Sequence, residues 1–284
     1  MRFGIHSMVW VGDWSEASAR FAIESSAKAG YDLIELSAMD PSVFDVEMTA
    51  RLLAENGLGA TASLGLDAAT DVSSEDEEIV AVGRRRLFDA LHLVRDVGGD
   101  MLCGVIFSAL RKYDEPATER GVAHSQAVIA DLADEAAASG IRLGLEFCNR
   151  YETNILNTTE QTLAYIDQVG RDNVLAHLDT YHMHIEERSM RDPVLAAARA
   201  GRLGYVHVGE SHRGPLGTGN VRWDEFLPAL TEAGYDGVVT FESFSSEVVH
   251  PALSSTLAIW RNLWSDNHEL ARHARDFLAD RLER

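Results

Sequence analysis

Short runs of apolar and β-branched residues alternate along this chain with longer stretches in which apolar residues recur every three or four positions. The short runs read as parallel strands buried on both faces, and the longer stretches as the amphipathic helices that cover them. Eight such pairs succeed one another, with strands expected at residues 3–7, 33–36, 59–64, 101–107, 142–147, 174–178, 204–208 and 238–241. Several of the helices close on a glycine suited to the left-handed conformation of a C-terminal cap: Gly30, Gly57, Gly98, Gly140, Gly170 and Gly234. The fifth helix is expected to open on Asn157 with Glu160 three positions on, the spacing of a capping box with Asn in place of Ser or Thr.

No Gly/Ser linker, low-complexity tract or repeat of 20 to 50 residues breaks the alternation. An eightfold βα count argues for a closed (β/α)8 TIM barrel, an architecture that needs about 250 residues, over an open doubly wound sheet. The expected organisation is one barrel domain over residues 1–284, with a C-terminal helical extension at 266–284. In that extension Leu270, Phe277, Leu278 and Leu282 form an apolar set that packs on the barrel base or on another subunit.

Composition narrows the partners. Apolar residues make up 46% of the chain, enough for a sizeable core. With 25 basic against 45 acidic residues the net charge is −20, a field that repels phosphate backbones and anionic lipid, so neither nucleic acid nor membrane is an expected partner. No apolar stretch reaches membrane-spanning length, and the opening MRFGIHSMVWVGDW lacks the three-part layout of a secretory signal, which points to the cytoplasm. The two cysteines, Cys103 and Cys148, lie in separate apolar runs without metal or redox spacing, and read as buried free thiols.

Chemistry in a parallel barrel concentrates at the strand C-termini and the loops just beyond. At those positions strand 5 carries Glu146, strand 6 Asp179, strand 7 His207 and strand 8 Glu242, each between apolar neighbours. Burying three carboxylates there without a cation would cost several kcal/mol apiece. A mainly oxygen donor set suits one divalent ion per subunit, Mg²⁺, Mn²⁺ or Co²⁺, better than structural zinc. Glu152, His182 and Arg213 follow three of these residues at short offsets and should reach the same mouth, where they could fix a hydroxyketone through its oxygens. The glycine-rich stretch from Arg213 to Gly219 lacks the Lys and the strand-to-helix setting of a phosphate-binding loop and reads as a shaped loop. His6, Trp10 and Trp14 could line the mouth, the tryptophans offering faces to sugar CH groups.

Four segments in order, GLEFCNRYETNILNT, LDTYHMHIEE, YVHVGESHRGPLGTG and FESFSS, with SLGL at 63–66 and IWRNLW at 259–264, resemble the ketose 3-epimerases of the D-tagatose and D-allulose (psicose) group, in the xylose-isomerase-like barrels. The resemblance implies that Glu146, Asp179, His207 and Glu242 bind the metal and that Glu152, His182 and Arg213 hold the sugar oxygens at carbons 1 to 3. It further implies that Glu146 and Glu242 act from opposite faces of a ketose, one removing the proton at carbon 3 and the other returning a proton to a metal-held cis-enediolate. D-Fructose and D-allulose are the first expectation, with D-tagatose, D-sorbose and L-ribulose behind them, and assembly as a homodimer or homotetramer. Many hexulose epimerases of this group carry an aromatic residue after strand 4, where this chain has Ala109 and Leu110. An aldose–ketose isomerase, an inosose dehydratase, a DNA-repair endonuclease and a non-enzymatic sugar-binding protein are the rival readings, and the −20 charge opposes the endonuclease.

Overall fold

Apolar runs that bury both faces can pair only with one another, and here they close on themselves. In the computed structural model, which describes residues 1–249 and 251–282, the strands are β1 (Arg2–His6), β2 (Leu33–Ser37), β3 (Gly59–Leu66), β4 (Met101–Ala109), β5 (Arg142–Glu146), β6 (Val174–Asp179), β7 (Leu203–Val208) and β8 (Val238–Phe241). All pair in parallel in chain order, and β8 returns to β1 through Arg2↔Val238 to Ile5↔Phe241. The expected strands are all present, with ends displaced by no more than two residues.

Around them run α1 (Glu16–Lys28), α2 (Val46–Asn56), α3 (Glu77–Asp96), α4 (Glu119–Ala138) and α5 (Thr159–Val169). The remaining helices are α6 (Thr180–Glu186), α7 (Arg191–Arg199), α8 (Trp223–Glu232), α9 (Pro251–Thr256) and α10 (Asn267–Leu282). The six anticipated cap glycines all have φ between 64° and 82°. The start of α5 differs from the expected capping box: Thr158 is the N-cap and accepts from Gln161 N. Asn157 is not available for that role, because its side-chain amide donates to Cys148 O at 2.8 Å and Thr153 O at 3.1 Å and so ties down the loop before the helix.

Two apolar layers result. One fills the space between strands and helices with residues such as Ile5, Ile34, Phe107 and Phe241, while Leu33, Met101, Cys103, Tyr205 and Val238 plug the barrel's interior below the mouth. Cys103 and Cys148 are buried free thiols, and burial pushes both well above the usual thiol range. The last helix, α10, packs on the flank of its own barrel against α8 and β8, with Leu270, Ala271, Ala274 and Leu278 buried and Phe277 edge-on to Trp223. Tyr31 donates to Ala271 O at 2.8 Å and fixes that docking.

Candidate active site

The register of the strands decides which side chains meet. Asp179 pairs with His207 across β6 and β7, whereas Glu146 pairs with His177 and Glu242 lies two residues beyond Thr240, the partner of His207. This stagger is the tilt of a barrel, in which strands contribute inward residues in alternating layers. It brings one oxygen or nitrogen from each of Glu146, Asp179, His207 and Glu242 within 4.8 Å of all the others, every one buried.

The set fits a divalent cation. His207 Nδ1 is buried with no hydrogen-bond partner and faces Glu146 Oε1 and Glu242 Oε1, each 3.6 Å away. Its other nitrogen, Nε2, donates to the carboxylate of Glu35 at 2.8 and 3.0 Å, which leaves Nδ1 free to act as a ligand. Burial opposes protonation of His207, but Glu35 and Glu242 outweigh it and raise the imidazole well above its ordinary value. Burial also raises Glu146 and Asp179 above the usual carboxylate range.

Glu35 did not figure among the residues expected from sequence. It lies on β2, wholly buried, and takes a second hydrogen bond from Tyr205 Oη at 2.7 Å; that hydroxyl in turn meets Thr61 and Thr240. Burial would raise Glu35, yet His207, His6 and His177 hold it far below the carboxylate range. Beside them His177 is buried with neither ring nitrogen bonded, its ring centroid 4.1 Å from that of His207, and burial keeps it neutral. The only sequence signal for Glu35 was one acid inside the run LIELS.

Glu152, His182 and Arg213 do reach the same chamber. Burial lowers His182 well below its ordinary value, and its Nδ1 accepts the Asn149 N–H at 3.1 Å, so the proton sits on Nε2 and is turned toward Glu146 and Asp179. Asn149, likewise unread in the sequence, also donates from its side chain to Glu152 Oε1 at 2.8 Å. Arg213 places Nη1 3.0 Å from Asp179 Oδ2 and 2.5 Å from Glu242 Oε2, with its guanidinium 3.9 Å over the Tyr181 ring.

Arg213 holds a left-handed φ of 61°, a conformation that costs a non-glycine residue about 1–3 kcal/mol and needs surrounding support. Glu210 provides it, accepting from Ser211 N, Gly217 N, Val221 N and Trp223 Nε1 at 2.8 to 3.1 Å, while Ser243 Oγ donates to Arg213 O. The glycine-rich stretch is thus a loop organised around a carboxylate, as the missing Lys had suggested.

His6 lines the chamber with Nε2 3.1 Å from Ser63 Oγ. Gly104 lies in the same wall at φ 105°, where a Cβ would come within 2.4 Å of Leu64 O. Trp14 lies farther out: it lines a second, adjoining cavity and donates to Thr49 Oγ1 at 3.0 Å. Trp10 lines neither cavity and packs against Phe21 and His268.

The sequence profile of the xylose isomerase-like TIM barrel family matches residues 23–281. A ketose 3-epimerase of Arthrobacter globiformis is 52% identical over 282 residues, 99% of this chain and 97% of that protein. An L-ribulose 3-epimerase of Methylomonas sp. is 54% identical over 281 residues, 99% and 98% of the two chains. The crystal structure of a D-allulose 3-epimerase from Methylomonas sp. in complex with D-allulose superposes with a TM-score of 0.97 at 54% identity, covering 99% of this chain and 97% of that one.

Proposed function

This chain is a carbohydrate epimerase that belongs to the ketose 3-epimerases of the xylose isomerase-like TIM barrel family, and from that premise we propose that it inverts carbon 3 of free ketoses, D-fructose and D-allulose foremost. L-Ribulose stands beside them, since a relative of 54% identity bears that substrate's name. D-Tagatose and D-sorbose follow. The observation that carries the reading is the placement of two buried glutamates, Glu146 and Glu242, each 3.6 Å from one free imidazole nitrogen in a chamber that Glu152, His182 and Arg213 also enter.

A C–H bond beside a ketone is a weak acid, so a carboxylate removes its proton only where the developing enediolate charge is stabilised. Glu146, Asp179, His207 and Glu242 would hold one divalent cation, Mg²⁺, Mn²⁺ or Co²⁺, which when bound supplies electrophilic stabilisation of that charge. Arg213 and the Nε2–H of His182 donate to the ketose oxygens, and Glu152 accepts from a hydroxyl. One of Glu146 and Glu242 takes the proton from carbon 3, and the other, in its acid form, returns one to the opposite face. Burial raises Glu146 and makes it a stronger base for a carbon acid than an exposed glutamate. Inversion needs both groups, whereas a hydride shift between carbons 1 and 2 needs neither.

Incubation of Mn²⁺-loaded protein with D-fructose, D-allulose, D-tagatose and L-ribulose in heavy water, followed by NMR, tests this. The expected product is the carbon 3 epimer with deuterium at carbon 3. Aldose formation would assign an isomerase instead, and absence of exchange with every ketose would sink the reading.

A further inference from the structure

Beyond the inner chamber lies a second cavity of about 680 Å³, well inside the range of roughly 300–1,000 Å³ typical of small-molecule sites. The two adjoin, with Met8, Ser37, Met39 and Leu110 lining both. Leu110, just after β4, stands between the chamber that holds Glu146 and Glu242 and this outer cavity, which gives the far end of a ketose held by its carbons 1 to 3 a space to extend into.

Its walls have a defined chemistry. Trp14 and Phe44 stand with ring centroids 5.4 Å apart and planes inclined by 34°, and Val11, Val43 and Leu66 extend the apolar surface. Val43 is 57% exposed, so a group entering the cavity can reach it. Every charged residue in the wall is acidic: Asp13, Asp40 and Asp67. Arg86 approaches Asp40 to 3.6 Å but is not part of the wall, and no Lys, Arg or His of the described residues lines it. A phosphate placed there would meet carboxylates and no cation, the reverse of what phosphate sites provide.

We infer that this outer cavity is a binding compartment for an uncharged apolar substituent, aryl or alkyl, carried on the terminal oxygen of the ketose, and that it selects against a phosphate at the same position. The inference rests on the epimerase reading above: the inner chamber performs the inversion, and the outer one chooses what hangs from the far end of the sugar. Aromatic and aliphatic walls bury such a group, and the three acidic residues repel an anion in its place.

The test compares D-fructose, 6-O-methyl-D-fructose, 6-O-benzyl-D-fructose and D-fructose 6-phosphate with the full-length, Mn²⁺-loaded protein, carbon 3 epimer formation being the readout. The methyl ether controls for loss of the pyranose form that any 6-O substituent causes. The benzyl ether is expected to show a KM about tenfold below that of the methyl ether with kcat little changed, and the phosphate a kcat/KM about a hundredfold lower. Val43→Asp and Phe44→Asp should each abolish the benzyl advantage while kcat/KM for D-fructose stays within about twofold; Val43, being exposed, serves even if loss of the Phe44 ring unfolds that variant. A benzyl ether no better than the methyl ether, or a preference that survives both substitutions, overturns the inference. Turnover of D-fructose together with either result leaves the epimerase reading standing, whereas failure of all ketoses removes both.

Discussion

Glu35 has no contact with solvent, yet it is surrounded by three histidines and a tyrosine hydroxyl, and its carboxylate fixes which nitrogen of His207 points at the three acidic side chains. Replacing it by Gln keeps the shape and removes the charge. Glu35→Gln is therefore expected to weaken divalent-ion binding about 10–100-fold, as loss of a carboxylate behind a ligating histidine does. Calorimetric titration with Mn²⁺, alongside a far-ultraviolet circular dichroism spectrum that stays unchanged, reads this directly; unaltered affinity would mean that packing alone orients the ring. The four clustered residues were legible because each occupies a strand end in a motif, whereas Glu35 was not. One acid in an apolar strand has no pattern, and its partners Tyr205 and His207 lie 170 and 172 positions away in the chain.

Between elements, one ion pair links the two arms of the chamber. Arg150, in the loop between β5 and α5 that also carries Glu152, donates to Glu186 at the end of α6 at 2.7 and 3.0 Å, and α6 carries His182. Partial burial alone would raise Glu186, but hydrogen bonds from the Arg150 side chain and backbone outweigh it and hold the carboxyl below its ordinary value. A lowered folded-state pKa stabilises above the unfolded value of about 4.3 and is lost as pH falls through the folded value. Glu186→Gln should accordingly reduce Tm at pH 7 by about 2 °C, with the Arg150 side largely exposed, and the gap from the parent should close below about pH 4. Melting curves across that range would show it, and a gap constant with pH would mean the pair adds nothing electrostatic. Strand positions and glycine caps could be read because period and left-handed φ are local properties. The start of α5 could not, since Asn157 answers to Cys148 O, a contact that no local pattern announces.

The molecule as a whole carries −20 charges, and three of its acids converge at one buried point with Arg213 as the neighbouring cation. Removing divalent ions leaves those acids to one another and to Arg213. At a free-ion concentration a hundred times Kd, binding adds about 2.7 kcal/mol to folding. For a chain of this size that corresponds to a rise in Tm of roughly 5 °C or more on adding Mn²⁺ to chelator-treated protein, measured by calorimetry. Added NaCl should raise the Tm of the ion-free protein too, by damping repulsion between charges more than about 10 Å apart at 0.1 M, but only at far higher concentrations. Equal responses to micromolar Mn²⁺ and micromolar Na⁺ would contradict a specific site. Overall charge and the eightfold alternation were plain in the sequence; the outer cavity was not, because its wall joins residues as distant as Trp14, Leu66 and Leu110.

The two thiols, both buried and with burial disfavouring the thiolate of each, have a practical corollary. Maleimides, gold and disulfide resins find nothing to grip on the folded chain. A single cysteine introduced at Asp236, exposed in the turn between α8 and β8 and so at the end opposite the strand C-termini, becomes the sole point of attachment. Every molecule tethered there would stand on its support in one orientation, with its entrance turned to the passing sugar.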